Sequence, residues 1–246
     1  MADYNNPIAR GRTDAAFAID AGLRAYMLRV YNYMIVGMVL TGASAWTVAN
    51  TPIGRLFYTV NPYTGMLGMT LLGLIALFAP LGLVLLMSFR INRMSVGAAQ
   101  ATFWVYASLV GIGLAPILYI YTGASVAEVF FITAATFGAM SLWGYTTRSD
   151  LTGFGSFLFM GLIGIVIAAL VNMFLHSAMM SFVISVVGVL VFTGLTAYDT
   201  QAIKESYVVG DDGTVAGRKA IFGALRLYLD FLNLFLMLLQ LMGNRR

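Results

Sequence analysis

Three side chains in the segment LRLYLDFLNLFLMLLQLM, Leu225 to Met242, are of types that could handle charge inside a membrane: Arg226, Asp230 and Asn233. Their spacing, i−4, i and i+3 about Asp230, puts them on one face of a helix. A second carboxylate, Asp199, closes the preceding apolar run in VFTGLTAYDTQAIKE. If the last helix begins near Ala220, ten residues at 1.5 Å each carry Asp230 about 15 Å in, close to a bilayer midplane. Ionising a carboxylate there costs several kcal/mol unless water, a partner or a cation is at hand, so Asp230 must face the protein interior. Arg226, about 9 Å from the same start, has two routes. It can pair with Asp230 within the helix, or it can snorkel toward the headgroups, which its shallower depth favours. Asp199 taken alone suits a solvated interface, Glu128 suits the N-terminus of the fourth apolar run, and Arg29 can snorkel from the first.

The composition says what must position these groups. Of 246 residues, 60% are hydrophobic and 10% charged, too little charge to cover a water-soluble domain. With no cysteine, disulfides and thiolate metal sites are excluded, and with His176 as the sole histidine a zinc cluster or Ser-His-Asp triad is not expected. The chain is therefore read as a membrane protein and not an enzyme, without a cofactor. The net charge of +4 sits in short connections and points to topology, not nucleic acid.

Seven apolar spans follow: Tyr26 to Ala49, Met66 to Phe89, Gly97 to Tyr121, Val126 to Tyr145, Phe154 to His176, Met179 to Tyr198 and Ala220 to Met242. They are too long and unbroken for barrel strands, so an all-α membrane domain over residues 26–246 is expected, after a polar tail at 1–25. Arginine and lysine alternate between connections: Arg10, Arg12, Arg24, Arg90, Arg93, Arg148, Lys204, Arg218 and Lys219 fall on one side, and Arg55, Arg245 and Arg246 on the other. That bias places the N-terminus in the cytoplasm. The terminal arginine pair then lies outside, unless the last span re-enters; a full crossing is the expectation. Gly111, Gly113, Gly161 and Gly164 are read as close-packing positions, and Pro116 in GIGLAP as a kink in the third span.

The motifs GIGLAP, GYTTRSDLTGFGSFLFMGL, AYDTQAIKE and LYLDFLNLFLMLL, in this order and spacing, resemble those of the Bax inhibitor family, also called the transmembrane Bax inhibitor motif family. The resemblance covers nearly everything after the tail. It implies seven transmembrane helices, six surrounding a central seventh, in a bacterial inner membrane. It further implies a pH-sensitive calcium leak in which Asp199 and Asp230 share a proton, sense pH and hold calcium weakly and transiently. An arginine at the cytoplasmic end of the second helix would lock the closed state, and Arg90 and Arg93 both match.

Physical chemistry is compatible with these implications. Two carboxylates a few ångströms apart in low dielectric cannot both ionise freely, so a proton belongs to the pair. Oxygen ligands suit calcium, but two carboxylates fall short of the six to eight ligands of a tight site. Arg226 stands where close relatives carry an uncharged residue; with Asn233 and Glu128 it is a candidate modulator, and its charge opposes strong conduction. Two other classes stay open: a non-conducting regulator of a membrane protease, with the tail as its handle, and a proton-coupled transporter. The expected partners are lipid, calcium and protons.

Overall fold

Apolar windows become helices because lipid leaves the backbone no other way to satisfy its hydrogen bonds. The structure, a computed structural model, describes residues 7–60 and 67–246, the side chains of 7–20, 60 and 67 excepted. The helices are α1 (Pro7–Asn50), α2 (Leu71–Arg90), α3 (Val96–Leu114), α4 (Ile117–Ile120), α5 (Gly123–Thr146), α6 (Thr152–Leu175), α7 (Ala178–Glu205) and α8 (Gly213–Met242). Six of the spans are long and apolar enough to cross a membrane: α2, α3 with α4, α5, α6, α7 and α8. The chain is an all-α membrane protein apart from one small hairpin, β1 (Tyr58–Val60) against antiparallel β2 (Leu67–Met69).

Several boundaries differ from the sequence reading, each for a local reason. The helix α1 starts at Pro7, so the backbone of much of the segment read as a tail is helical; residues 1–6 and the side chains of Arg10 and Arg12 lie outside the described part. The second span starts later than Met66, because Leu67–Met69 pair in the hairpin and the Thr70 side chain caps α2 by accepting from the Gly73 N–H at 3.1 Å. The last helix starts at Gly213, not near Ala220, because Asp212 accepts from the Thr214 and Val215 N–H groups at 2.8 and 2.7 Å. The expected break at Pro116 is present: α3 ends at Leu114 and the chain resumes as the single turn α4.

Close packing rests on fewer glycines than the sequence suggests. A Cβ on Gly111 would strike the Thr41 carbonyl of α1, and one on Gly161 would press Val191 at 3.1 Å. Gly113 and Gly164 meet nothing tight, so neither is a close-approach position. The tightest crossing near the acidic motifs is at Gly144, where α5 meets the Ala197 carbonyl of α7 so closely that any side chain would displace one helix.

The helix α8 packs against α1, α3, α5 and α7. Of its most apolar stretch 56% is buried, against 11% for α6 and 17% for α2, whose Phe157, Phe174 and Phe89 face outward as lipid-exposed surfaces do. Its two ends lie at opposite ends of the bundle. Near its start, Arg218 donates to the Asn92 carbonyl in the α2–α3 turn. Beyond its end, the Thr122 N–H donates to the Asn244 carbonyl at 3.1 Å and the Arg246 N–H to the Ile120 carbonyl at 2.9 Å. An uninterrupted 30-residue helix thus runs the length of the fold and does not turn back.

Candidate functional site

The acidic motifs meet where α7 and α8 run side by side. Asp199 and Asp230 are 7% and 5% exposed. Both open on a cavity of about 500 Å³ between α6, α7 and α8, shared with Arg226, Asn233, Ser156 and Tyr198. Two consecutive helices, each with its carboxylate on the inward face, therefore build one acidic pair.

Arg226 takes neither of the two routes open to it in the sequence. Its guanidinium crosses to the neighbouring helix and forms an ion pair with Asp199 Oδ1, while Asp230 Oδ2 is buried without a hydrogen-bond partner. The reason is geometric: Asp199 comes within reach of the same helical turn of α8, and pairing there neutralises a buried charge that Asp230, already beside Asp199, does not need neutralised if it carries the shared proton. Asn233 lines the same cavity, with its amide nitrogen donating to the Leu229 carbonyl of its own helix at 2.9 Å. Among the described residues no group of three or more Asp, Glu, His or Cys side chains could hold a metal ion.

The other residues singled out by sequence lie elsewhere. Arg90 ends α2 and Arg93 lies in the 3₁₀ turn Ile91–Arg93, both exposed. The ion pairs among the described residues are Arg226–Asp199 and Lys219–Asp211, so neither candidate lock arginine is seen on the aspartates. Glu128 is exposed in the second turn of α5, away from the cavity. His176 caps α6 in the left-handed region at φ 51° and is exposed.

Sequence reasoning assigned only Asp199 in AYDTQAIKE, whereas its neighbours anchor the site. Gln201 accepts from the Leu151 N–H and donates to the Ser149 carbonyl, both at 2.8 Å, pinning the α5–α6 connection to α7. Lys204 donates to the Tyr145 carbonyl at 2.8 Å. Thr200 bonds Ser141 at 2.9 Å, which bonds the Tyr31 hydroxyl at 2.7 Å, so a chain of hydroxyls ties α1, α5 and α7 beside Asp199. The signal available was a polar cluster at the end of an apolar run, at positions 199, 200, 201 and 204.

Comparison with known proteins bears out the family resemblance. Residues 23–246 match the family described as inhibitor of apoptosis-promoting Bax1. The chain belongs to the Bax inhibitor-1 family. Relatives in this family include a protein of Rickettsia prowazekii, 46% identical over the whole of both chains, and one of Caulobacter vibrioides, 44% identical over the whole of both. The inner membrane protein YbhL of Escherichia coli is 46% identical over 96% of this chain and 98% of its own.

Proposed function

We propose that this chain is a proton-gated calcium leak of a bacterial inner membrane, with seven crossings, six of them around α8, and its N-terminus in the cytoplasm. The observation that carries the reading is the acidic pair: two buried carboxylates from α7 and α8 at one cavity, one held by Arg226 and the other with a buried oxygen lacking a donor. Membership of the family supports it, as does the burial of α8. The location is supported by the name of YbhL as an inner membrane protein, and the orientation by the arginine and lysine bias of the connections.

In the resting arrangement one proton is shared by Asp199 and Asp230 and one positive charge comes from Arg226, so the seam between α7 and α8 is electrically neutral. Loss of the proton leaves one net negative charge in a confined site. That charge favours entry of a cation and biases the packing of α7 against α8. Calcium is then bound by few ligands and released, as passage requires. Arg226 holds the closed seam in this scheme, while Arg90 and Arg93 remain candidates for a lock only in a different arrangement of α2.

Calcium entry into liposomes containing only this protein, followed with a trapped dye across a pH series, tests the reading. The expected result is flux that rises with pH through one step in the wild type and loses that step in Asp230→Asn. Absence of flux at every pH would overturn it in favour of a regulator of a membrane partner such as a protease. Movement of calcium against its gradient under an imposed proton gradient would replace it with coupled transport.

A further inference from the structure

A second cavity, about 850 Å³, lies on the opposite side of α8 from the acidic pair, between α1 and α5. Its walls are apolar, with Met27, Met34 and Met38 from α1 and Phe130 and Phe137 from α5, and Phe231 of α8 contributes to its lining. Among the described residues one charged side chain lines it, the exposed Arg24 at one end. That end is level with the polar α7–α8 connection, because the neighbouring Tyr26 hydroxyl bonds Ser206 at 3.2 Å and its ring stacks 5.5 Å from Tyr207.

We propose that this groove is a binding site for an anionic phospholipid, with the phosphate at Arg24 and an acyl chain lying between α1 and α5 toward Gly42. Length is sufficient: one leaflet of a hydrocarbon core about 30 Å thick is about 15 Å deep, and the α1 wall from Arg24 to Gly42, about 27 Å at 1.5 Å per residue, holds a chain of that reach in full. Polarity fits as well. The hydroxyls of Tyr31 and Ser141 on the lining already bond each other at 2.7 Å, and Ser141 bonds Thr200. A hydrocarbon chain laid over them leaves neither hydroxyl without a partner. Flexible methionine side chains accommodate a chain of many conformers. Room is left open on both walls by glycine: a Cβ added to Gly42 or to Gly138 would meet nothing within 4 Å. A cation at the polar end and an unfilled apolar channel running from it match the two chemically distinct parts of one lipid.

The test is native mass spectrometry of the full chain in detergent after addition of dioleoyl phosphatidylglycerol or dioleoyl phosphatidylcholine, a readout independent of ion flux. The wild type should retain one phosphatidylglycerol per chain, with a preference over phosphatidylcholine of roughly fivefold, the effect of one arginine near a lipid surface. Gly138→Phe, whose Cβ meets nothing within 4 Å, should lower retention by roughly tenfold or more. Arg24→Gln should keep a bound lipid but lose the preference. If Gly138→Phe does not fold to a species with the wild-type melting temperature, Gly138→Leu takes its place. Wild-type retention in a folded groove-filling variant would overturn the proposal, as would equal retention of the two lipids by the wild type. A dimer that the same variants dissolve would assign the groove to a second copy of the chain and overturn it too.

Discussion

The two ion pairs of the described structure are built from similar groups in different surroundings. Lys219 bonds Asp211 at 2.6 Å in the connection from α7 to α8 and also donates to the Ser206 carbonyl at 3.0 Å. Arg226 bonds Asp199 farther along α8, in the seam between the two helices, with a second carboxylate alongside. The side chains of the two pairs are about equally exposed, 33% and 17% for Lys219 and Asp211 and 35% and 11% for Arg226 and Asp199. What differs is the neighbour: beside Arg226 a second, buried carboxyl group opens on the same cavity, so removing the arginine would leave two acids without their cation, whereas removing Lys219 would leave Asp211 alone. The difference teaches that the seam is held by charge balance, while the connection pair is a single contact.

Removing the arginine strains this comparison most. Arg226→Leu should destabilise the protein by about 2–3 kcal/mol, at the lower edge of the range for broken buried pairs because the arginine is itself partly exposed. Adding Asp199→Asn should recover most of that loss. Equilibrium unfolding in detergent at neutral pH measures both, and equal stability of the single and double mutants would refute charge balance. Gly144→Val tests whether the seam also needs its close crossing. Its branched side chain must displace the Ala197 carbonyl, so a loss of about 2 kcal/mol is expected by the same measurement.

Asp230→Asn separates the two carboxylates. Asp230 has an oxygen without a donor and lies beside Asp199, so the neutral amide should raise stability by about 1 kcal/mol, seen as a higher melting temperature in detergent. A fall of similar size would show that its charge supports the seam. Lys219→Ala near the start of α8 should cost less than 1 kcal/mol, shrinking further as salt is added.

The smallest expected effect concerns Asp150, fully exposed before α6. Hydrogen bonds from Thr152 hold its carboxyl below the usual carboxylate range. A group with a lowered folded value stabilises above its unfolded value and loses that contribution as pH falls through the folded one. Amide exchange at the start of α6 should therefore quicken in acid below the ordinary aspartate range in the wild type. In Asp150→Asn it should show no such step.

Much was legible in the sequence because lipid imposes a length and a polarity on whatever crosses it. The helical class, the break at Pro116 and the inward face of Asp230 follow from local pattern and the cost of charge in hydrocarbon, whereas Asp199 taken alone suits a solvated interface and is buried only by packing. Helix starts were less legible, since Thr70 and Asp212 set them by capping in segments that an apolar window passes over. The hairpin at Tyr58 and Met69 depends on pairing between strands of three residues each, too short to announce themselves.

Only tertiary structure decided which partner Arg226 takes, because spacing along α8 points to Asp230 and only the packing of α7 against α8 brings Asp199 within its reach. Packing likewise decided that Gly144 is a close crossing while Gly113 and Gly164 are not, since a glycine's use depends on what stands opposite it. A sequence carries the cost of each buried charge, but the answer to that cost is a distance between helices, and the distance exists only in the folded bundle.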